Sequence, residues 1–192
     1  MTRVRWSTAL ETAPLRQPDQ RSCGASVAVA AAALHHDGRP PVAGPELDRQ
    51  VLLTHRRLTA RTDLLGEAQW PWPRFWGTPP WALARHLTAT SGVRHRVQVV
   101  RRSPARGVEP VRAALAAGLP AALYLGSATM PRHVVLALPP QVGDSTPDRW
   151  AVYDPAPGRV RHLGVDRWTS GTVDECAWPV PWAVVAPEVT TR

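Results

Sequence analysis

The stretch from Gln17 to Leu34, QPDQRSCGASVAVAAAAL, constrains this chain more than any other. A polar lead-in ends at Cys23-Gly24, and from Ala25 to Leu34 the residues are small and mostly alanine and valine. Alanine is the best helix former, so the run predicts a central helix with Cys23 at or just before its start. Gly38 supplies the turn that ends it, after Asp37, and Pro40-Pro41 bars continuation. A thiol at a helix start meets the positive end of the dipole and the free N–H groups of the first turn. Both favour the thiolate, the form of cysteine that attacks carbonyl carbon. The competing reading is a small buried cysteine that only packs. The rest of the chain has to separate the two.

Residues 1–16 read as a lead-in ordered in part by Trp6 and Leu15. A second helix opens at Pro45-Glu46, with Leu47, Val51, Leu52 and Leu58 at helical spacing, and a third runs from Pro80 to Ser91. Between them, the segment 70–81 is dense in Trp and Pro and has no period, which predicts a loop with aromatic surface to pack or to form a groove wall. The pattern changes after Gly92. Val97, Val99 and Val100 suggest a strand, and Val108–Leu115 a short helix ending at Gly118. Short apolar runs at Ala121–Leu125 and His133–Leu138 read as buried strands. Trp150–Asp154 and Arg159–Leu163, joined by Pro-Ala-Pro-Gly, read as an antiparallel pair, and Trp182–Ala186 as a last strand. Helices first and strands later is an α+β order, with a helical layer that carries the cysteine packed on an antiparallel sheet.

The 192 residues, 44% of them hydrophobic, suffice for one domain spanning 1–192, including the lead-in and a tail from 187 to 192, and are too few for two comfortable ones. The net charge of +8 comes from arginine alone, since the sequence has no lysine. Those arginines are scattered rather than gathered into a stripe, which argues against a nucleic-acid surface. Two cysteines do not make a disulfide framework, and no segment has signal-peptide character or membrane-span length. A cytoplasmic location with reduced thiols, and no membrane partner, is the expectation. Cys23, Cys176 and the histidines show no metal-ligand spacing, so neither a metal nor another cofactor is expected.

A cysteine nucleophile needs a base, and the base an orienting group. Of the seven histidines, His35 and His36 share the helix of Cys23 about three turns away and cannot reach it. His55 and His86 stand among arginines in helical contexts that read as solvated faces. His95 reads as exposed, and His162 as structural or exposed. His133 differs, because it opens an otherwise apolar strand, where a titratable side chain can face a cleft. Asp154 closes the run WAVYD before Pro155. It is either a turn former or, if the two strands are neighbours, the group that fixes the imidazole tautomer. Gln17 offers a side-chain amide beside the backbone donors of the helix start, as an oxyanion site requires. Gln20 is the rival, with less chain to loop back. Cys176, ahead of the last strand, reads as a packed thiol.

Taken together, Gln17, Cys23-Gly24-Ala25-Ser26, His133-Val134-Val135-Leu136, Val152-Tyr153-Asp154-Pro155 and Gly158 resemble the papain-like cysteine peptidases. Asp-Pro in place of the papain-type asparagine favours the branch of the bacteriocin-processing, double-glycine leader peptidases and their stand-alone relatives. The resemblance implies a papain-like α+β fold and a peptide or protein substrate. It implies Cys23 as nucleophile, His133 as base and acid, Asp154 as its orienter and Gln17 as oxyanion donor. The family also includes inactive relatives and members that use the thiol for transamidation or acyl transfer. The segment 70–81 has no counterpart among the family's substrate-binding elements.

Overall fold

A computed structural model describes residues 5–189. Four helices precede the first strand: α1 (Trp6–Thr12), α2 (Cys23–Asp37), α3 (Pro45–Leu58) and α4 (Pro80–Ser91). Then follow β1 (His95–Val99), α5 (Val108–Ala116), β2 (Ala121–Gly126), β3 (Pro131–Ala137), β4 (Arg149–Asp154), β5 (Arg159–Gly164), α6 (Val165–Ser170) and β6 (Val180–Pro187). The six strands form one antiparallel sheet in the order β1-β6-β2-β3-β4-β5. The α+β class expected from the element order is therefore what the chain adopts. Of the expected lead-in and tail, residues 1–4 and 190–192 lie outside the described residues.

α2 is buried along most of its length, from Cys23 to Ala31 and again at Leu34. A helix of small residues without a polar face is stable only where neighbours cover every side. Here α3, α4 and β3 supply that cover. Gly38, at φ 64°, ends the helix, and its N–H bonds the carbonyl of Leu34.

The sheet has apolar cores on both faces. One core gathers α1 to α4 against Ala122, Tyr124, Val134, Leu136 and Tyr153. The other places α5 and α6 against Leu123, Leu125, Val135, Val152 and Val184. Every residue of β2 is buried, which explains why that strand reads as an unbroken apolar run rather than an alternation. The helical layer on one side was expected; the second layer, with Trp150 and Trp168 edge to face at 5.8 Å, was not.

The lead-in is better ordered than Trp6 and Leu15 alone suggested. Trp6 is fully buried, edge to face with Tyr153 at 6.3 Å. Burying an indole removes roughly 200 Å² from water, about 5 kcal/mol before ordering entropy is subtracted. That is enough to dock a short helix that has no capping side chain. Beyond α1 the chain is tied to the β4–β5 turn. Leu15 N–H bonds Gly158 O at 2.9 Å, Gln17 N–H bonds Pro155 O at 2.8 Å, and Tyr153 Oη donates to Leu15 O at 2.6 Å.

Gly158 makes this tie possible. Its φ is +71°, and a Cβ there would stand 2.6 Å from both Arg16 N and Leu15 C, backbone atoms that cannot swing aside. Gly158→Ala is therefore expected to cost about 1–3 kcal/mol, read as a fall in thermal midpoint of several degrees by circular dichroism. An unchanged midpoint would show that the two segments separate freely.

Two helix faces differ from expectation. In α3 the buried stripe is Leu47, Val51, His55 and Leu58, while Leu52 is 38% exposed. In α4, His86 is buried beside Ala82, Leu83 and Leu87. His55 and His86 are thus core residues and not parts of solvated faces. The arginines flank them in sequence but point elsewhere, because helical neighbours diverge by about 100°. Burial lowers the His55 proton affinity, and it takes His86 down to about 4, with Arg57 adding repulsion. Both rings are neutral at pH 7. His95 is half-buried, with Nδ1 2.7 Å from Val93 O.

Candidate active site

Cys23 is the first residue of α2 and is 5% exposed. The helix ladder opens with Ser26 N–H on Ser22 O at 2.8 Å. The N–H groups of the first turn, starting at Cys23, thus stand outside the ladder and point past the helix end. Gly24 leaves no room for a side chain, since a Cβ would lie 2.6 Å from the Cβ of Thr78. Thr78 O in turn accepts from Tyr124 Oη at 3.1 Å. The end of the segment 70–81 is thereby fixed on the start of α2.

The histidine arrives from the sheet. β3 begins at Pro131, two residues earlier than expected, so His133 is its third residue rather than its first. Its backbone partner in β2 is Leu125, next to a register shift at Gly126. Between β3 and β4 the regular register is short, Leu136 opposite Tyr153 and Ala137 opposite Val152. Towards His133 and Asp154 side chains take over from the backbone ladder. The charge-assisted bond from His133 Nε2 to Asp154 Oδ1 is 2.8 Å, with the two side chains only 6% and 3% exposed. An ionised carboxylate only accepts, so Nε2 carries the proton and Nδ1 is the nitrogen left for Cys23.

The electrostatics follow this arrangement. Burial alone would strip the proton from His133. The hydrogen bond to Asp154, a second to Cys23 and the negative charge of both partners outweigh it, and raise the ring to about 9. At pH 7 the ring is an imidazolium. Burial, then the charge of Cys23, keeps the Tyr124 hydroxyl protonated well beyond the ordinary range.

Asp154 is 2% exposed and fully engaged. Oδ1 also accepts Ala156 N–H at 3.1 Å, and Oδ2 faces Arg161 Nε at 3.2 Å. Arg161 did not stand out in the sequence, where Arg159–Leu163 read only as one strand of an antiparallel pair. The signal was its parity with Leu163, a core residue two positions on, which puts both on the same face of β5.

Gln17 is held near by its backbone bond to Pro155, the residue after Asp154. Its side-chain amide is not directed at a substrate position, because Nε2 donates to Asp19 O within a local turn. Its Oε1 is buried without a partner. Cys176 is 7% exposed in the second core, and burial, with the charge of Asp154 adding, holds its thiol up at about 12. Among the described residues no three His, Cys, Asp or Glu side chains are grouped to hold a metal ion, and no helix is long and apolar enough to cross a membrane.

The segment 70–81 carries a chain of aromatic rings. Trp72 meets Trp76 and Trp81 edge to face at 5.3 and 5.2 Å, and Phe75 meets Trp76 at 5.2 Å. Trp70, Phe75 and Trp76 remain 82%, 59% and 52% exposed.

No protein-family profile and no curated protein matches the sequence. Solved structures do match. A Bacillus anthracis protein described as a C39-like peptidase superposes with a TM-score of 0.51 over 95% of this chain and 98% of its own, at 10% identity. The chain has a C39-type, papain-like fold. The peptidase domain of Streptococcus mutans ComA, solved with a small-molecule inhibitor, aligns over 91% of this chain and 98% of its own, with 13% identity and a TM-score of 0.41. The C39-type fold agrees with the resemblance drawn from the motifs. At 10% identity the likeness is one of architecture.

Proposed function

We propose that the protein is a cysteine peptidase that cleaves peptide or isopeptide bonds through an acyl-thioester on Cys23. The observation that carries the reading is the buried His133 imidazole, bound to the Asp154 carboxylate through Nε2 and influenced by Cys23 at the start of α2. Burying three ionisable groups in contact is costly unless each satisfies another, and such clusters concentrate at catalytic sites.

In this reading the Cys23 thiolate adds to the carbonyl carbon of the scissile amide. The negative charge that develops on oxygen is met by N–H groups of the first turn of α2. Gln17 joins them once its side chain turns away from Asp19. The C–N bond breaks as His133 gives its proton to the departing amine, leaving a thioester. Water then attacks the thioester carbonyl while neutral His133 takes its proton. The acid leaves, and Cys23 and His133 return to the thiolate–imidazolium pair. Asp154 holds the ring through Nε2 in both steps, so Nδ1 alone handles the travelling proton.

A second reading is peptide binding without turnover, favoured by the exposed Trp70, Phe75 and Trp76 on a segment anchored beside Gly24. Labelling with a thiol-directed peptidase inhibitor, followed by mass spectrometry, separates the two. The peptidase takes one equivalent on Cys23 and spares Cys176. Slow, equal labelling of both thiols favours the binder. For a labelled enzyme, a peptide-library cleavage profile then defines the substrate.

A further inference from the structure

Arg161 has no part in the mechanism above, yet its guanidinium is 3.2 Å from the free oxygen of the candidate triad's carboxylate. Asp154 is nearly enclosed, whereas the arginine side chain is 46% exposed and reaches in from β5. Oδ1 already serves two donors, His133 Nε2 and Ala156 N–H. With Oδ1 alone held, the carboxylate plane could still turn about the Cβ–Cγ bond. A donor on Oδ2 removes that freedom.

We propose that Arg161 is a positioning residue of this site: it fixes the plane of Asp154 so that Oδ1 stays on His133, and its charge offsets part of the carboxylate's hold on the imidazole proton. The inference rests on the peptidase reading of Cys23 and His133.

A carboxylate left uncompensated would hold the proton on His133 too tightly for ready transfer to the leaving amine. Arg161 moderates that hold from the solvent side. The other charged and titratable groups around the pair do not take this place. Cys23 approaches from α2 and Tyr124 from β2, both on the thiol side of the ring. Tyr153, on β4, is a neutral phenol that gives its hydrogen bond to Leu15 O. Cys176 is a neutral thiol at neutral pH, and Glu175, an anion like Asp154, has Oε1 on Gly164 N–H. Arg159, paired opposite Asp154 in β5, is exposed, and Arg161 is the arginine that reaches the carboxylate.

The test needs no substrate. The rate of iodoacetamide alkylation of Cys23, separated from Cys176 by peptide mapping, is measured between pH 5 and 10 (roughly the span over which imidazole and thiol titrate). Removing the positive charge in Arg161→Gln lets His133 keep its proton longer, so the alkaline step moves up by about half a pH unit. Arg161→Lys, which keeps the charge, restores the step. In an Asp154→Asn background, where no carboxylate holds the guanidinium at the site, Arg161→Gln moves the step much less. A purely structural ion pair would lower the melting temperature and leave the pH profile in place, and that result overturns the proposal. So does an equal shift with and without Asp154, which would mean that Arg161 acts on another group. Arg161→Met, which keeps the apolar stem, replaces the glutamine variant if that one does not fold. Wild-type protein that fails to label preferentially at Cys23 removes the peptidase reading itself; preferential labelling with an unmoved profile removes only the role of Arg161.

Discussion

Cys23→Ala abolishes peptide turnover, by about 10³-fold or more, and leaves the fold intact. Alanine suits the first turn of a helix, and the exchange deletes one sulfur from a site that is 5% exposed. The expected stability change is within about 1 kcal/mol, a few degrees at most for a chain of this length. Cleavage of a peptide library by the purified variant, with its melting curve alongside, is the measurement. Cys176→Ala serves as the control and keeps full activity, because that thiol is buried and protonated at neutral pH. Full turnover by Cys23→Ala would end the assignment.

His133→Ala has the second large effect, and it shows in two ways. Without the imidazolium, the Cys23 thiolate loses its charge partner, and alkylation by iodoacetamide requires a pH about one unit or more higher. An unchanged alkylation profile would remove His133 from the site. The same change affects folding. The ring's value in the folded protein, about 9, stands above the ordinary 6.5. The stability that the charged ring contributes is therefore fully present below pH 6.5 and is lost as pH rises through 9. Urea unfolding of wild type and His133→Ala should differ most near pH 6, with the gap closing by about pH 10. A gap of constant size would mean that His133 contributes by packing and not by charge.

Residues adjacent in sequence were enough to read the local elements. Ala25–Leu34 announced a helix, Asp37-Gly38 its end, and the apolar runs at Ala121–Leu125 and His133–Leu138 two strands, because helix propensity, turn chemistry and burial on both faces leave their marks within a few residues. Among the candidate residues, Cys23 opens α2 and Asp154 closes β4, where local pattern points, whereas His133 is the third residue of β3 and Gln17 lies in the loop before α2. The buried positions of His55 and His86 were hidden, since flanking arginines say nothing about which way a helical residue points when its neighbour diverges by about 100°. α1 was also hidden: its Trp6 packs on Tyr153 and gives its N–H to Val142 O, both more than a hundred residues along the chain.

Two features were decided by tertiary structure alone. β6, the last strand, lies between β1 and β2, so pairing across the chain sets the sheet order, and no local pattern encodes it. The pairing of Arg161 with Asp154 depends on β5 folding back beside β4 in the register that sets Arg161 opposite Val152. The sequence by itself determined a helix that begins with a cysteine and two later strands ending in ionisable groups. Only the fold determined that the imidazole of one strand meets the carboxylate of the next near the thiol of the helix, because that contact depends on where β3 and β4 stop pairing, and local sequence carries no record of it.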